Sequence, residues 1–177
     1  MKKQPFRSDG AESVGKTQRL TLCALLVSLS LVFSYIEHII PFDLGIPGIK
    51  LGLANVAVIM VLYLFGAKDA FVVSLLRIFI SFLLFGSIYS LAYSLAGGVL
   101  SFALMLLMKK LRAFSIVGVS ICGGIVHNVA QLAVAVIVLG SVSIALYLPV
   151  LLISGAITGA IIGVLAQLVI SKIKKIS

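Results

Sequence analysis

Polar side chains embedded in apolar sequence are the first candidates for chemistry in this chain. Arg77 lies in the run SLLRIFIS, and His127, Asn128 and Gln131 lie in GGIVHNVAQLAVA. On a helix, residues three or four apart are neighbours, so the spacing of the last three predicts that they share approximately one face. A charged group at mid-membrane depth costs about 2.5–3.5 kcal/mol on insertion scales. We interpret the three as lining a cavity, with plain hydrogen bonding between helices as the alternative.

A polar stretch, EHIIPFDLGIPGIKLGLAN at residues 37–55, interrupts the apolar sequence with charges, prolines and glycines. We predict an external loop that closes over a binding site, with PGIKLGLAN forming part of the floor where the chain re-enters the membrane. Glu37 and Lys50 lie in this stretch and can face Arg77 across a shared cavity. Arg77 then either forms a structural pair with Glu37 or backbone carbonyls, or contacts an anionic or polar head group. Both interpretations stay open.

Sequence motifs for several kinds of chemistry are missing. The chain has no HExxH, GxSxG or Walker A motif, so we expect no zinc protease, no serine hydrolase and no nucleotide hydrolysis. Its five acidic residues include no DDxxD-type motif of the kind that holds magnesium in polyprenyl synthases. We therefore expect a protein that is not an enzyme and that uses no cofactor or metal.

The composition is that of a helical membrane protein. Hydrophobic residues make up 62% of the chain, and the mean hydropathy is +1.28. The apolar runs are continuous, whereas the strands of a β-barrel would alternate apolar and polar residues. A net charge of +9 could indicate nucleic-acid binding in a soluble protein. In a membrane protein it indicates topology, so we expect no nucleic-acid partner.

Six apolar runs predict an all-α, six-helix transmembrane bundle. The runs cover residues 20–36, 51–65, 70–85, 89–108, 114–139 and 146–170. The second and third are short and are separated by the tight turn GAKD at residues 66–69, so a bent hairpin that does not fully cross is the alternative. We predict a cytoplasmic basic tail at 1–19, a membrane domain at 20–171 and a second basic tail at 172–177. No small-x-small cleavage site follows the first run, which predicts an uncleaved first helix.

The distribution of cations predicts the orientation. With the N-terminus inside, all of the 14 Lys and Arg residues except Lys50 and Arg77 fall in cytoplasmic segments. Cytoplasmic loops of membrane proteins carry this excess, so both termini are expected in the cytoplasm. The loop at residues 37–55 is then external.

Small residues at four-residue spacing mark helix surfaces that can approach a neighbour closely. Gly155, Gly159 and Gly163 form such a face on the last helix, where packing within the bundle is the expected use. On the first helix Ala24 and Ser28 keep the same spacing. Docking to another protein is an open alternative for that face.

Several blocks of the sequence resemble a known family. PGIKLGLAN, YSLAGG and HNxxQ, within a match from about residue 20 to residue 165, resemble the bacterial Gx transporter family, often labelled heptaprenyl diphosphate synthase component I. That family is similar to the substrate-binding S-components of energy-coupling factor transporters. The resemblance implies six helices, substrate binding under the first external loop and toppling against a coupling subunit driven by two cytoplasmic ATPases. It also implies that Ala24 and Ser28 are the docking pair, although Ser28 stands where Ala is commoner.

Taken with the resemblance, the residues predict the substrate-binding subunit of an importer in the bacterial cytoplasmic membrane. The substrate would be isoprenoid-like or otherwise amphipathic. The alternative is a non-catalytic membrane partner of heptaprenyl diphosphate synthase in polyprenyl or menaquinone side-chain synthesis. A channel ranks third because the sequence has no ring of like charges or filter-like carbonyl loop. The predicted substrate-binding residues are Glu37, Lys50, Asn55, Arg77, Tyr93, His127, Asn128 and Gln131.

Overall fold

The computed structural model describes residues 15–39 and 52–176, and this part of the chain is helical with no strand. Lys50 and most of the predicted N-terminal tail and external loop lie outside the described residues. The elements are α1 (Lys16–Ile39), α2 (Asn55–Leu64), α3 (Ala67–Phe85), α4 (Ile88–Leu111), α5 (Ile116–Leu139), a 3₁₀ helix (Val142–Tyr147) and α6 (Leu148–Ile176). The prediction of six α-helices is confirmed.

Four helical segments are long and apolar enough to cross a membrane, as expected of a multi-pass membrane protein. They are α1, α4, α5 and the segment Val142–Ile173, which joins the 3₁₀ helix to α6. The ten residues of α2 extend about 15 Å, half of a hydrocarbon layer about 30 Å thick. Its neighbour α3 has 19 residues and includes Lys68, Asp69 and Arg77. The six helices therefore comprise four full-length apolar spans and a shorter pair.

The boundaries of the shorter pair differ from the prediction. The predicted GAKD turn is wrong, since Ala67, Lys68 and Asp69 form the first turn of α3 and only Phe65 and Gly66 connect it to α2. Gly66 has φ +104°, a conformation that disfavours side chains with a Cβ. The second helix was predicted from residue 51 but begins at Asn55, after a turn in which Gly52 has φ +85°.

The helices alternate in direction, and the described Lys and Arg residues other than Arg77 lie toward one end of the bundle. Arg19 near the start of α1 forms an ion pair with Asp69 in the first turn of α3. Lys109, in the last turn of α4, donates its Nζ hydrogen bond to the carbonyl of Leu62 near the end of α2. We call this the basic end. At the other end the Tyr35 ring of α1 lies 5.6 Å from the Phe85 ring of α3.

Helix α2 forms the centre of the core. Every residue from Asn55 to Leu62 is buried. A helix that is apolar all round must be enclosed on all sides, and α2 contacts α1, α3, α4 and α6. These four helices and α5 expose large apolar side chains outward, the arrangement expected where lipid is the solvent.

Glycines allow α5 and α6 to pack at close distance. The prediction that the small-residue face of α6 packs within the bundle is confirmed. A Cβ added to Gly159 would lie 2.7 Å from the Ser120 carbonyl oxygen and 2.8 Å from the Ile121 Cα. A Cβ added to Gly124 of α5 would lie 2.4 Å from the Gly155 carbonyl oxygen. These distances are below any real Cβ contact, so backbone meets backbone along this interface.

Replacing Gly159 by alanine should therefore destabilise the protein by about 1–3 kcal/mol, because the added methyl group forces two backbones apart. The measurement is the free energy of unfolding in detergent. Gly118→Ala is the matched control on α5, since a Cβ there meets its neighbours at 3.5 Å or more. Equal stability of the two variants would contradict the close packing.

Candidate ligand-binding site

Arg77 is the buried cation around which the candidate site is built. Its side chain is 5% exposed, and one terminal nitrogen donates a 2.7 Å hydrogen bond to Oδ1 of Asn55. Asn55 is the first residue of α2, nine residues from its end at the basic end of the bundle, and Arg77 is ten residues into α3. At 1.5 Å per residue both lie about 15 Å from that end. The pair thus sits at about half depth.

Glu37 joins the end of α1 to this pair. Its Oε1 accepts a 2.8 Å hydrogen bond from the backbone N–H of Leu53, just before α2 begins. An acidic group close to a helix N-terminus stabilises it, because the amide groups there carry partial positive charge. The same carboxylate interacts electrostatically with the Arg77 guanidinium. The direct hydrogen-bond partner of Arg77 is thus Asn55, and the predicted pairing of Glu37 with Arg77 stays a prediction.

His127 is placed against the same cluster by two glycines. Its side chain is 2% exposed, and a Cβ on Gly97 of α4 would lie 2.8 Å from two atoms of its ring. A Cβ on Gly52 would lie 3.0 Å from Cδ2 on the ring. The Gln131 amide nitrogen lies 2.8 Å from His127 Nε2, as their four-residue spacing predicts.

Side chains from four helices line a cavity between Glu37, Arg77 and His127. Its volume is about 10 Å³, which admits about one oxygen-sized group. Two of its lining residues, Glu37 and Arg77, are charged, and the others are polar or apolar. The lining residues are Ser34, Glu37, Gly52, Arg77, Ile78, Ser81, Ser94 and His127.

Asn55 and Gln131 contact Arg77 and His127 without lining the cavity, and two further predicted site residues lie away from the cluster. Asn128 does not share the His127 face, because a step of one residue turns the side chain by about 100° around the helix axis. Its Nδ2 donates to the Leu151 carbonyl at 2.9 Å and to Ser154 Oγ at 3.2 Å, which ties α5 to α6. Tyr93 is buried in a separate apolar cluster with Leu132, Ala135 and Leu151. Neither residue is among those that line the cavity.

Sequence reasoning missed the serines of the cavity. Ser81 lies four residues after Arg77 on α3, and Ser34 lies three residues before Glu37 on α1. Both spacings put the serine on the same helix face as the charged residue. The sequence therefore contained a signal for these serines, because each lies one helical turn from a charged residue within an apolar helix.

A family model described as heptaprenyl diphosphate synthase component I matches residues 26–169. The chain belongs to this family. The matched region begins in α1, ends in α6 and includes every residue that lines the cavity. Comparisons with curated proteins and with solved structures found no match.

The hydrogen bond between Asn55 and Arg77 can be tested by a double-mutant cycle. Asn55→Ala should cost about 1–3 kcal/mol, because it removes the acceptor of a buried guanidinium. Adding Arg77→Met to that variant should cost less than Arg77→Met alone, with a coupling energy of about 0.5–3 kcal/mol. The free energy of unfolding is measured for all four proteins. Strictly additive losses would contradict a direct interaction.

Proposed function

We propose that this protein is the substrate-binding membrane subunit of an importer of the energy-coupling factor type. It binds a small amphipathic, isoprenoid-like substrate and is not itself an enzyme. The observation that carries the proposal is the convergence of Glu37, Arg77 and His127, from three helices, on one cavity at about half depth. Polar groups within a membrane are costly and are characteristic of substrate pathways.

The arrangement of the helices supports a site that is reached from the end opposite the basic end. The basic end is the cytoplasmic one by the positive-inside rule, and the protein lies in the bacterial cytoplasmic membrane. The polar cluster begins at the N-terminus of α2, on the side of that helix away from the basic end. The end of α1 at Ile39 then lies toward the outer side.

The surface of α1 supports docking to a second membrane protein. Only Val27, Ser30 and Ser34 of this helix are buried. Ala24 and Ser28 are exposed and are one turn apart, and the Ser28 hydroxyl donates to the Ala24 carbonyl at 3.0 Å. With that hydroxyl satisfied within the helix, the face is small and smooth, as close helix packing requires. The partners proposed are a coupling transmembrane subunit and two cytoplasmic ATPases.

The docking face can be tested by adding bulk to it. Ala24→Leu should abolish copurification of the coupling subunit and ATPases with the tagged chain from native membranes, because the added side chain keeps the helices apart. Leu29→Phe is the matched control, since it adds bulk at another exposed position of α1. Normal assembly of Ala24→Leu would exclude this face.

The family description favours a second candidate function. It names a component of heptaprenyl diphosphate synthase, which fits a non-catalytic membrane partner of a soluble Asp-rich synthase subunit. This candidate predicts a stable complex between the two chains. Prenyl transfer by the catalytic subunit should rise severalfold when this chain is added in nanodiscs, compared with empty nanodiscs. Unchanged activity and no complex would exclude it.

A further inference from the structure

We propose that Arg77 and Ser81 form the head-group subsite of the substrate, and that this head group is an uncharged oxygen, a hydroxyl or a carbonyl. The inference rests on the proposed function and specifies the chemistry of the ligand. Both side chains line the cavity, and they are 5% and 6% exposed. Arg77 Nε and Ser81 Oγ are buried and have no hydrogen-bond partner among the described residues.

Two buried donors without partners, on residues that line one small space, call for an acceptor. Arg77 and Ser81 are four residues apart on α3, so their side chains emerge from the same face. The guanidinium N–H can only donate, and the serine hydroxyl can donate or accept. A buried donor without an acceptor costs about 1–3 kcal/mol, and a ligand oxygen held by both removes that cost. The cavity admits about one oxygen-sized group, and its mostly polar lining favours a head-group oxygen over a carbon of the apolar tail.

The charge of the lining selects against a diphosphate. The two charged groups among the described lining residues are Glu37 and Arg77, which interact with each other and sum to zero. A diphosphate would bring several negative charges to about half depth in the membrane, next to the Glu37 carboxylate. The like charges of the diphosphate and the carboxylate repel. A hydroxyl or carbonyl oxygen meets both donors and adds no charge.

Binding of four ten-carbon isoprenoids that differ in head group tests the inference. Tritiated geraniol and tritiated geranyl diphosphate are bound to the protein in nanodiscs, with empty nanodiscs as the baseline. Geranial and geranylamine then compete with whichever probe binds. We expect geraniol or geranial to bind at least tenfold more tightly than the diphosphate and the amine, and their ranking distinguishes a hydroxyl from a carbonyl ligand.

Variants then locate the subsite. Ser81→Ala should weaken binding of the preferred neutral probe about two- to tenfold, the value of one hydrogen bond. Arg77→Lys should weaken it further, because lysine keeps the charge but has no donor at the Nε position. Ser101→Ala is the matched control, since Ser101 Oγ is also buried without a partner among the described residues but does not line the cavity. Its affinity should equal that of the unaltered protein.

The outcomes separate the two proposals. Tighter binding of the diphosphate or the amine, or equal effects of Ser81→Ala and Ser101→Ala, would overturn the head-group inference and leave a substrate-binding subunit in place. Saturable binding of none of the four compounds would overturn the isoprenoid-binding function itself, and the inference with it.

Discussion

A buried guanidinium at half depth constrains much of this structure. The Arg77 charge costs several kcal/mol in hydrocarbon unless polar groups surround it. Asn55 supplies a direct acceptor and Glu37 a counter-charge, and they come from α2 and α1. Asn55 is the first residue of α2, so this helix begins about half-way across the membrane. The early start of α2 and the position of Arg77 on α3 therefore place the two side chains at the same depth.

A helix that starts at half depth needs partners for its terminal backbone groups, because lipid supplies none. At the start of α2, the Glu37 carboxylate accepts from the Leu53 N–H. At its end, Lys109 donates to the Leu62 carbonyl, and the Lys109 ammonium lies 4.8 Å from the centre of the Tyr63 ring. Charged side chains from α1 and α4 therefore satisfy opposite ends of α2, with the acid at the positive end of the helix dipole and the cation at the negative end. These contacts explain how ten apolar residues form the centre of the bundle.

Hydropathy alone predicted the long helices, because each needs only an uninterrupted apolar run, and the predicted end of α5 at Leu139 agrees with the structure. It could not predict the start of α2, which depends on the left-handed conformation of Gly52. Spacing predicted the contact of His127 with Gln131. Spacing did not predict the position of Asn128, because residue spacing on one helix does not show which neighbouring helix each of its faces contacts. Ser81 was missed since a serine in an apolar helix commonly bonds to its own backbone, and only the structure shows that its Oγ does not.

The two sides of the cavity differ in how firmly they are held. His127 belongs to α5, which packs backbone to backbone against α6 through Gly124, Gly155 and Gly159. Asn128, the next residue, adds a hydrogen bond to α6 across that same interface. Asn128 thus fixes α5 next to the residue whose imidazole ring lines the cavity. The opposite wall comes from α1, where three residues are buried. Glu37 attaches that wall through its hydrogen bond to the Leu53 N–H. Local opening takes place where buried contacts are fewest, so the α1 wall opens at lower cost than the α5 wall.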